Sequence, residues 1–329
     1  MKRILTGLKP SGELTLGSLV GAINQMVRLQ EEYDSFIFVP DMHAITVRQD
    51  PKELKERIRK NVALYLACGV DPDKNTIYLQ SENLYHANLS WVFECNTYMG
   101  EASRMTQYKD KSSKGENVTV GLFTYPILMA SDILLYDADL VPVGIDQKQH
   151  VELARDIAER FNKVYGDTFK IPEVMIPEVG AKIMDLQNPT KKMSKSDDSY
   201  KGVILLLDDE KTIRKKIMSA VTDSENMVYY DKDNKPGISN LLTIYSSLKG
   251  ISMEDTLNYF KDYNYGNLKK EVADLVVSVL TDIQCKYNEI INSDMLDLVL
   301  DKGRDKTNKI AKDKLSCVYE KVGLGRNEK

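Results

Sequence analysis

Three short apolar runs, Ile4-Leu5-Thr6, Ser35-Phe36-Ile37-Phe38-Val39 and Thr76-Ile77-Tyr78-Leu79, are separated by long stretches with helical periodicity. Connections of that length are crossovers rather than hairpins, and crossovers join parallel strands. Runs without polar alternation suit strands buried on both faces. The first crossover reads as a helix over 15–33, with Leu16, Leu19, Val20, Ile23, Met26 and Val27 on one face. The second is marked at both ends, by Asp50 as N-cap, Pro51 at the first helical position, Glu53 in the first turn and Gly69 just past the last. A third helix is expected over 85–99. The fold class is therefore α/β, a doubly wound parallel sheet, in which ligands lie at the carboxyl ends of the strands.

At the carboxyl end of the first strand, Gly7, Pro10 and Gly12 break regular structure before the helix begins. Gly17 falls in the first helical turn, where free N–H groups and the positive dipole end suit a phosphate. An ordinary strand-to-helix connection would look the same. Further on stands Lys191-Lys192-Met193-Ser194-Lys195-Ser196. Methionine and serine interrupt its charge, so it reads as a shaped loop. The polar, basic segment 104–120 is a solvated loop by composition, although Lys109 and Lys111 in it could swing over a polyphosphate.

Pro126 is expected to open a helix running to about Tyr136, with Tyr125, Met129 and Asp132 at i, i+4 and i+7 on one face. Ile127, Leu128, Ile133, Leu134 and Leu135 make this segment apolar nearly all round, so Asp132 is a buried carboxylate that needs a donor. That donor could be an internal ion pair or cap, or it could be a substrate. An indole N–H can only donate and a carboxylate can only accept, so a slot ending at Asp132 would select tryptophan over phenylalanine. Next, Leu140 to Gly144 reads as a strand and Asp146 to Tyr165 as a helix closed by Gly166. Gln147 offers both a donor and an acceptor there. His43 follows the second strand, and His150, one turn beyond Gln147, is expected only to support the fold.

Together, Thr15-Leu16-Gly17-Ser18 and Lys192-Met193-Ser194-Lys195-Ser196 resemble the signature pair of class I aminoacyl-tRNA synthetases, the first degenerate and the second intact. With Pro10-Ser11-Gly12 and Val143-Gly144-Ile145-Asp146-Gln147-Lys148-Gln149-His150, the resemblance narrows to the bacterial tryptophanyl branch and extends over essentially the whole chain. It implies a Rossmann-like catalytic domain over 1–200. An all-α anticodon-binding domain would follow over 201–329, its last helix folding back. It implies ATP-dependent activation of L-tryptophan with Mg²⁺, transfer to tRNA(Trp), a cytoplasmic location and a homodimer joined through the catalytic domain. By the same resemblance Lys111, Lys192 and Lys195 are catalytic. ATP would meet Lys9, Pro10, Ser11, Gly17, Ser18, Gly144, Ile145, Asp146, Ile183, Lys192, Met193, Ser194, Lys195 and Ser196. Tryptophan would meet Leu5, His43, Tyr125, Met129, Asp132, Val141, Val143 and Gln147. The chain departs from the pattern at Thr15, where most class I enzymes have histidine, at Ser18, where histidine or asparagine is usual, and at Lys9, where glutamine is frequent.

Composition limits the alternatives. The 45 basic and 49 acidic residues of this 329-residue chain give a net charge of −4, so any RNA contact must come from local basic patches. Four scattered cysteines, Cys68, Cys95, Cys285 and Cys317, lack the paired spacing of a structural zinc site. No apolar run approaches the ~20 residues that cross a bilayer, and no signal-peptide pattern opens the chain. After Ser199 the pattern becomes helical, with stretches expected at 208–220, 238–248, 253–262, 268–291 and 304–322 and a short strand at 203–207. Lys211, Arg214, Lys215 and Lys216 form one basic helical surface in this reading. Three other readings stay open. A tyrosyl-tRNA synthetase would share the fold, a non-catalytic relative should lack the lysines, and a small-metabolite nucleotidyltransferase would not need the helical part.

Overall fold

The computed structural model describes residues 1–106, 108–109, 119–176, 182–194 and 200–326, apart from the side chain of Asp146. Lys111, Lys195 and Ser196 lie outside the described residues. Five parallel strands form the sheet: β1 (Arg3–Gly7), β2 (Asp34–Val39), β3 (Asn75–Leu79), β4 (Leu140–Pro142) and β5 (Glu173–Met175), in the order β3-β2-β1-β4-β5. Strand order reverses between β1 and β4, and a crevice opens beyond their carboxyl ends. β5, three residues between prolines, gave no recognisable pattern in the sequence.

Helices cover both faces. The first crossover is helical through Leu16–Ser18, Leu19–Ile23 and Asn24–Leu29, the middle stretch being π-helical. The second runs over Pro51–Ala67, with the Asp50 carboxylate accepting from the amides of Lys52 and Glu53. The expected helix at 85–99 stops at Glu94, and a separate turn covers Met99–Ala102. The Pro126 expectation needs correction: the helix spans Val120–Leu134, capped by Thr119, whose side chain accepts from the Leu122 amide. Pro126 sits inside it, and packing against the Tyr85–Glu94 and Lys148–Tyr165 helices outweighs the one hydrogen bond the proline removes. Residues 182–184 do not rejoin the sheet; Met184 forms an antiparallel bridge with Lys192 instead. The strand expected at 203–207 is likewise a single bridge, Thr15 with Leu205.

After residue 200 the elements are helical: Glu210–Met218, Pro236–Lys249, Met253–Tyr259, Tyr265–Ile291 and Met295–Val322. The basic surface expected on the first of these is half neutralised. Arg214 pairs with Glu210 and Asp274, and Lys216 with Asp208. The last helix begins well before the expected residue 304. Gly303 is its point of closest approach to β3, where an added Cβ would lie 1.8 Å from the Ile77 carbonyl oxygen. This helix packs along β3 and the Tyr85–Glu94 helix, with Arg59–Asp297 and Lys314–Asp137 pairs along its length.

Two hydrophobic clusters hold the layers. One joins Leu16, Ile37 and Met193 to Ile213, Leu241 and Val272, so it runs from the sheet into the helical part. The other, on the opposite face, gathers Leu5, Phe36, Ile133, Val141 and Leu315. Among the described residues no helix is long and apolar enough to cross a membrane.

Candidate active site

The crevice at the β1/β4 reversal is a cleft of about 1540 Å³. Its floor is the end of β1 (Thr6, Gly7, Leu8) and of β4 (Pro142, Val143, Gly144). Of the expected ATP-binding residues, Ser11, Gly17, Ser18, Gly144, Ile145, Ile183, Lys192, Met193 and Ser194 line it. Lys9 and Pro10 do not: Lys9 Nζ lies 3.5 Å from Thr46 Oγ1, and Pro10 is buried. Lys182 and Lys232 also face the cleft and went unnoticed, because an isolated lysine carries no pattern.

The two signature segments meet on this wall. Met193 is buried, and a methyl group added at Gly17 would lie 3.6 Å from its Cβ and its carbonyl oxygen. That is ordinary van der Waals contact, so Met193 seats against this turn without space alone demanding a glycine there. The helix start offers fewer amides than expected. The Leu16 N–H donates to the Ile204 carbonyl at 2.8 Å, and the Ser18 N–H to Thr15 Oγ1 at 3.1 Å. Ser18 Oγ in turn accepts from the Thr15 amide at 3.3 Å. Among the described residues this leaves the Gly17 N–H as the first-turn amide without a partner, so cations must carry most of any phosphate contact.

The lysine segment has a braced base. Asp185 N–H donates to the Lys191 carbonyl at 2.8 Å and Met193 N–H to the Ile183 carbonyl at 3.0 Å. Asp185 Oδ1 accepts from the amides of Gln187 and Asn188, and an added Cβ on Gly202 would collide with it at 1.9 Å. Asn240 then pairs both ways with the backbone of Met184, tying this base to the Pro236–Lys249 helix.

Asp132 lies below, in a different environment. It is 1 % exposed and lines neither the cleft nor a smaller hollow beside it, in which Tyr125 takes part. Met129, Leu5, Val141 and Val143 belong to one apolar cluster around the same helix. Three donors reach the Asp132 carboxylate: His43 Nε2 at 2.8 Å to Oδ2, and Gln80 Nε2 and His86 Nδ1, each at 2.7 Å, to Oδ1. A carboxylate only accepts, so His86 carries its proton on Nδ1. Its Nε2 lies 2.8 Å from the Tyr136 hydroxyl oxygen, to which Asn83 also donates. Burial alone pushes the Asp132 pKa up. His43 and His86 together outweigh burial and hold it at about 2, below the ordinary 3.8. Two of these partners, Gln80 and His86, follow the end of β3, and His43 follows the end of β2.

Gln147 is held from behind. His150 Nδ1 lies 2.8 Å from Gln147 Oε1, and Tyr125 Oη lies 2.8 Å from His150 Nε2.

A sequence profile described as class I tRNA synthetases (W and Y) matches residues 1–281. The chain belongs to this family. It is 53 % identical to the tryptophan–tRNA ligase of Bacillus anthracis over all of both chains. Among solved structures it resembles tryptophanyl-tRNA synthetase from Mycoplasma pneumoniae, with a TM-score of 0.89 and 38 % identity over 99 % of this chain and 98 % of that one. It also resembles the Campylobacter jejuni enzyme complexed with ADP and tryptophan, with a TM-score of 0.85 and 39 % identity over 98 % and 100 %.

For a class I tRNA synthetase of this group, Gln80 and His86 escaped the sequence reading, and both are partners of Asp132, which it did find; His43 and His150 were noted. The chain has three histidines, and His43, His86 and His150 are 8 %, 0 % and 1 % exposed. All three hydrogen-bond to Asp132, Gln147 or Tyr125. Their scarcity was the one available signal.

Proposed function

We infer that the chain is a tryptophan–tRNA ligase. It activates L-tryptophan with ATP to tryptophanyl-adenylate and pyrophosphate, then passes the tryptophanyl group to the terminal ribose of its tRNA. The observation that carries the reading is the pairing of a caged, ionised Asp132 with a lysine-bearing cleft at the sheet's reversal point. An amino-acid carboxylate, with pKa roughly 3.5, is already ionised, so the first step needs no strong base. It needs two anions brought together and charge stabilised on the α-phosphate and the departing pyrophosphate.

In this reading Lys192 and Lys195, with Lys111, neutralise the triphosphate. Gly144 gives the nucleoside close approach, and Asp146 accepts from its ribose. The indole N–H donates to Asp132. Unused acceptor capacity supports this last role: a carboxylate has room for about four donors, and among the described residues three are present, only one of them on Oδ2. No group of three or more His, Cys, Asp or Glu that could hold a metal occurs among the described residues. Mg²⁺ is therefore proposed to arrive on the triphosphate oxygens rather than in a protein cage.

The remaining readings follow the family likeness. The part over 201–329 would contact the tRNA(Trp) anticodon, and the part over 1–200 would hold the chemistry, in the cytoplasm. A second copy would dock on the face carrying Ile45, Leu84, Trp91, Tyr98 and Met99, all exposed. Trp91 is the chain's only tryptophan, and sedimentation of Trp91→Glu should give a monomer where the parent gives a dimer. The deciding experiment is ATP–pyrophosphate exchange run with tryptophan and with tyrosine. Exchange with tryptophan alone supports the reading; exchange with tyrosine alone overturns it.

A further inference from the structure

We propose that Asn240 is a positioning residue for adenylate formation, its carboxamide fixing the short strand that sets Lys192 against the ATP phosphates. The proposal rests on the reading that Lys192 neutralises the triphosphate. Asn240 lies inside the Pro236–Lys249 helix and is 3 % exposed, among Ile238, Leu241, Leu242 and Ile244, each 0 % exposed. Asparagine is a poor helix former, and a buried amide costs free energy unless it is hydrogen-bonded. An apolar side chain would serve this helix better. What the amide gains is Met184. Asn240 Oδ1 accepts from the Met184 N–H at 2.8 Å, and Nδ2 donates to the Met184 carbonyl at 2.9 Å. A backbone N–H can only donate and a carbonyl can only accept, so these two contacts fix which way the carboxamide points.

Met184 is the residue opposite Lys192 in the antiparallel bridge. The hydrogen bonds flank that pair: Asp185 N–H donates to the Lys191 carbonyl and Met193 N–H to the Ile183 carbonyl. Met184 and Lys192 are thus a non-hydrogen-bonded pair, the kind whose Cα atoms approach to about 4.5 Å, with the N–H and C=O of each residue turned away from the other strand. Asn240 takes both outward groups of Met184, as a third strand would. Asn240, Met184 and Lys192 all line the cleft. The Lys192 side chain is long and exposed, so what the fold can set for it in advance is the place of its backbone. Met184 is the nearest determinant of that place, and Asn240 holds Met184 from the helical part of the chain.

The test uses the full chain, with the single-turnover rate of adenylate formation, tryptophan affinity by equilibrium dialysis and the melting temperature of each variant. Asn240→Leu keeps roughly the same shape and removes both hydrogen bonds. Asn240→Asp keeps the acceptor but sets an oxygen against the Met184 carbonyl. Each should slow adenylate formation roughly 10- to 100-fold below its melting range, since a misplacement of about 1 Å can cost that much. Tryptophan affinity should stay within about twofold of the parent. In a Lys192→Ala background the further loss from Asn240→Leu should shrink below about threefold, because coupled positions are not additive. If Asn240→Leu melts below the assay temperature, Asn240→Asp carries the same comparison. A loss undiminished in the Lys192→Ala background would overturn the proposal, as would an equal loss of tryptophan affinity. A slow Lys192→Ala beside parent-like Asn240 variants defeats the proposal alone. If Lys192→Ala itself keeps the parent rate, the prior reading of Lys192 fails and the proposal falls with it.

Discussion

The two ends of the site are built on opposite principles. Around Asp132 both carboxylate oxygens accept hydrogen bonds, the carboxylate is 1 % exposed, and its donors come from the ends of two strands and a helix start. Around the lysine segment the backbone is braced, yet Lys192 itself is exposed on the cleft. The first region is suited to telling amino acids apart, because a dry, preorganised acceptor heavily penalises a ligand that fails to donate. The second is suited to charge that appears during reaction, where cations act most when phosphate oxygens gain charge. Selection and acceleration are therefore expected to fail separately.

The sharpest break of that division is the loss of a lysine. Lys192→Ala, and likewise Lys195→Ala, should lower the single-turnover rate of adenylate formation by about 10²- to 10³-fold. Tryptophan affinity by equilibrium dialysis should stay within about twofold. A parallel loss of tryptophan affinity would merge the two regions into one. Asp132→Asn should do the reverse. It keeps the shape but sets an amide NH₂ against donors, so tryptophan affinity should fall roughly 10- to 100-fold while ATP binding holds.

The same carboxylate predicts a pH effect. Its folded pKa, about 2, lies below the ordinary 3.8, so the stability it contributes is present above about pH 4 and fades as pH falls toward 2. The integrated contribution is about 2 kcal/mol. Urea melts from pH 5 to pH 3 should therefore show a shallower acid loss in Asp132→Asn than in the parent. The smallest effect on the chemistry is expected outside both regions. Gly303→Ala should destabilise by about 1–3 kcal/mol through overpacking against β3, with kcat for exchange unchanged below the melting range. A fall in kcat without a fall in stability would tie the last helix to the site.

Local chemistry made much of this legible. Asp50, Pro51 and Gly69 framed their helix without tertiary help, since a cap and a left-handed stop act on neighbouring amides. Pro126 misled because it breaks a helix by propensity, and packing supplied what propensity withheld. β5 was invisible because its three residues are strand only by pairing with β4.

By itself, the sequence determined the parallel α/β order, the pair of signature segments, and a carboxylate at Asp132 too buried to go without a donor. These are properties of residue type and spacing along the chain. Only the tertiary structure decided who serves that carboxylate, and that Met193 packs on Gly17 while His150 reaches both Gln147 and Tyr125. Such contacts join residues up to a hundred or more positions apart, and hydrogen-bond direction exists only once both partners have a place in space.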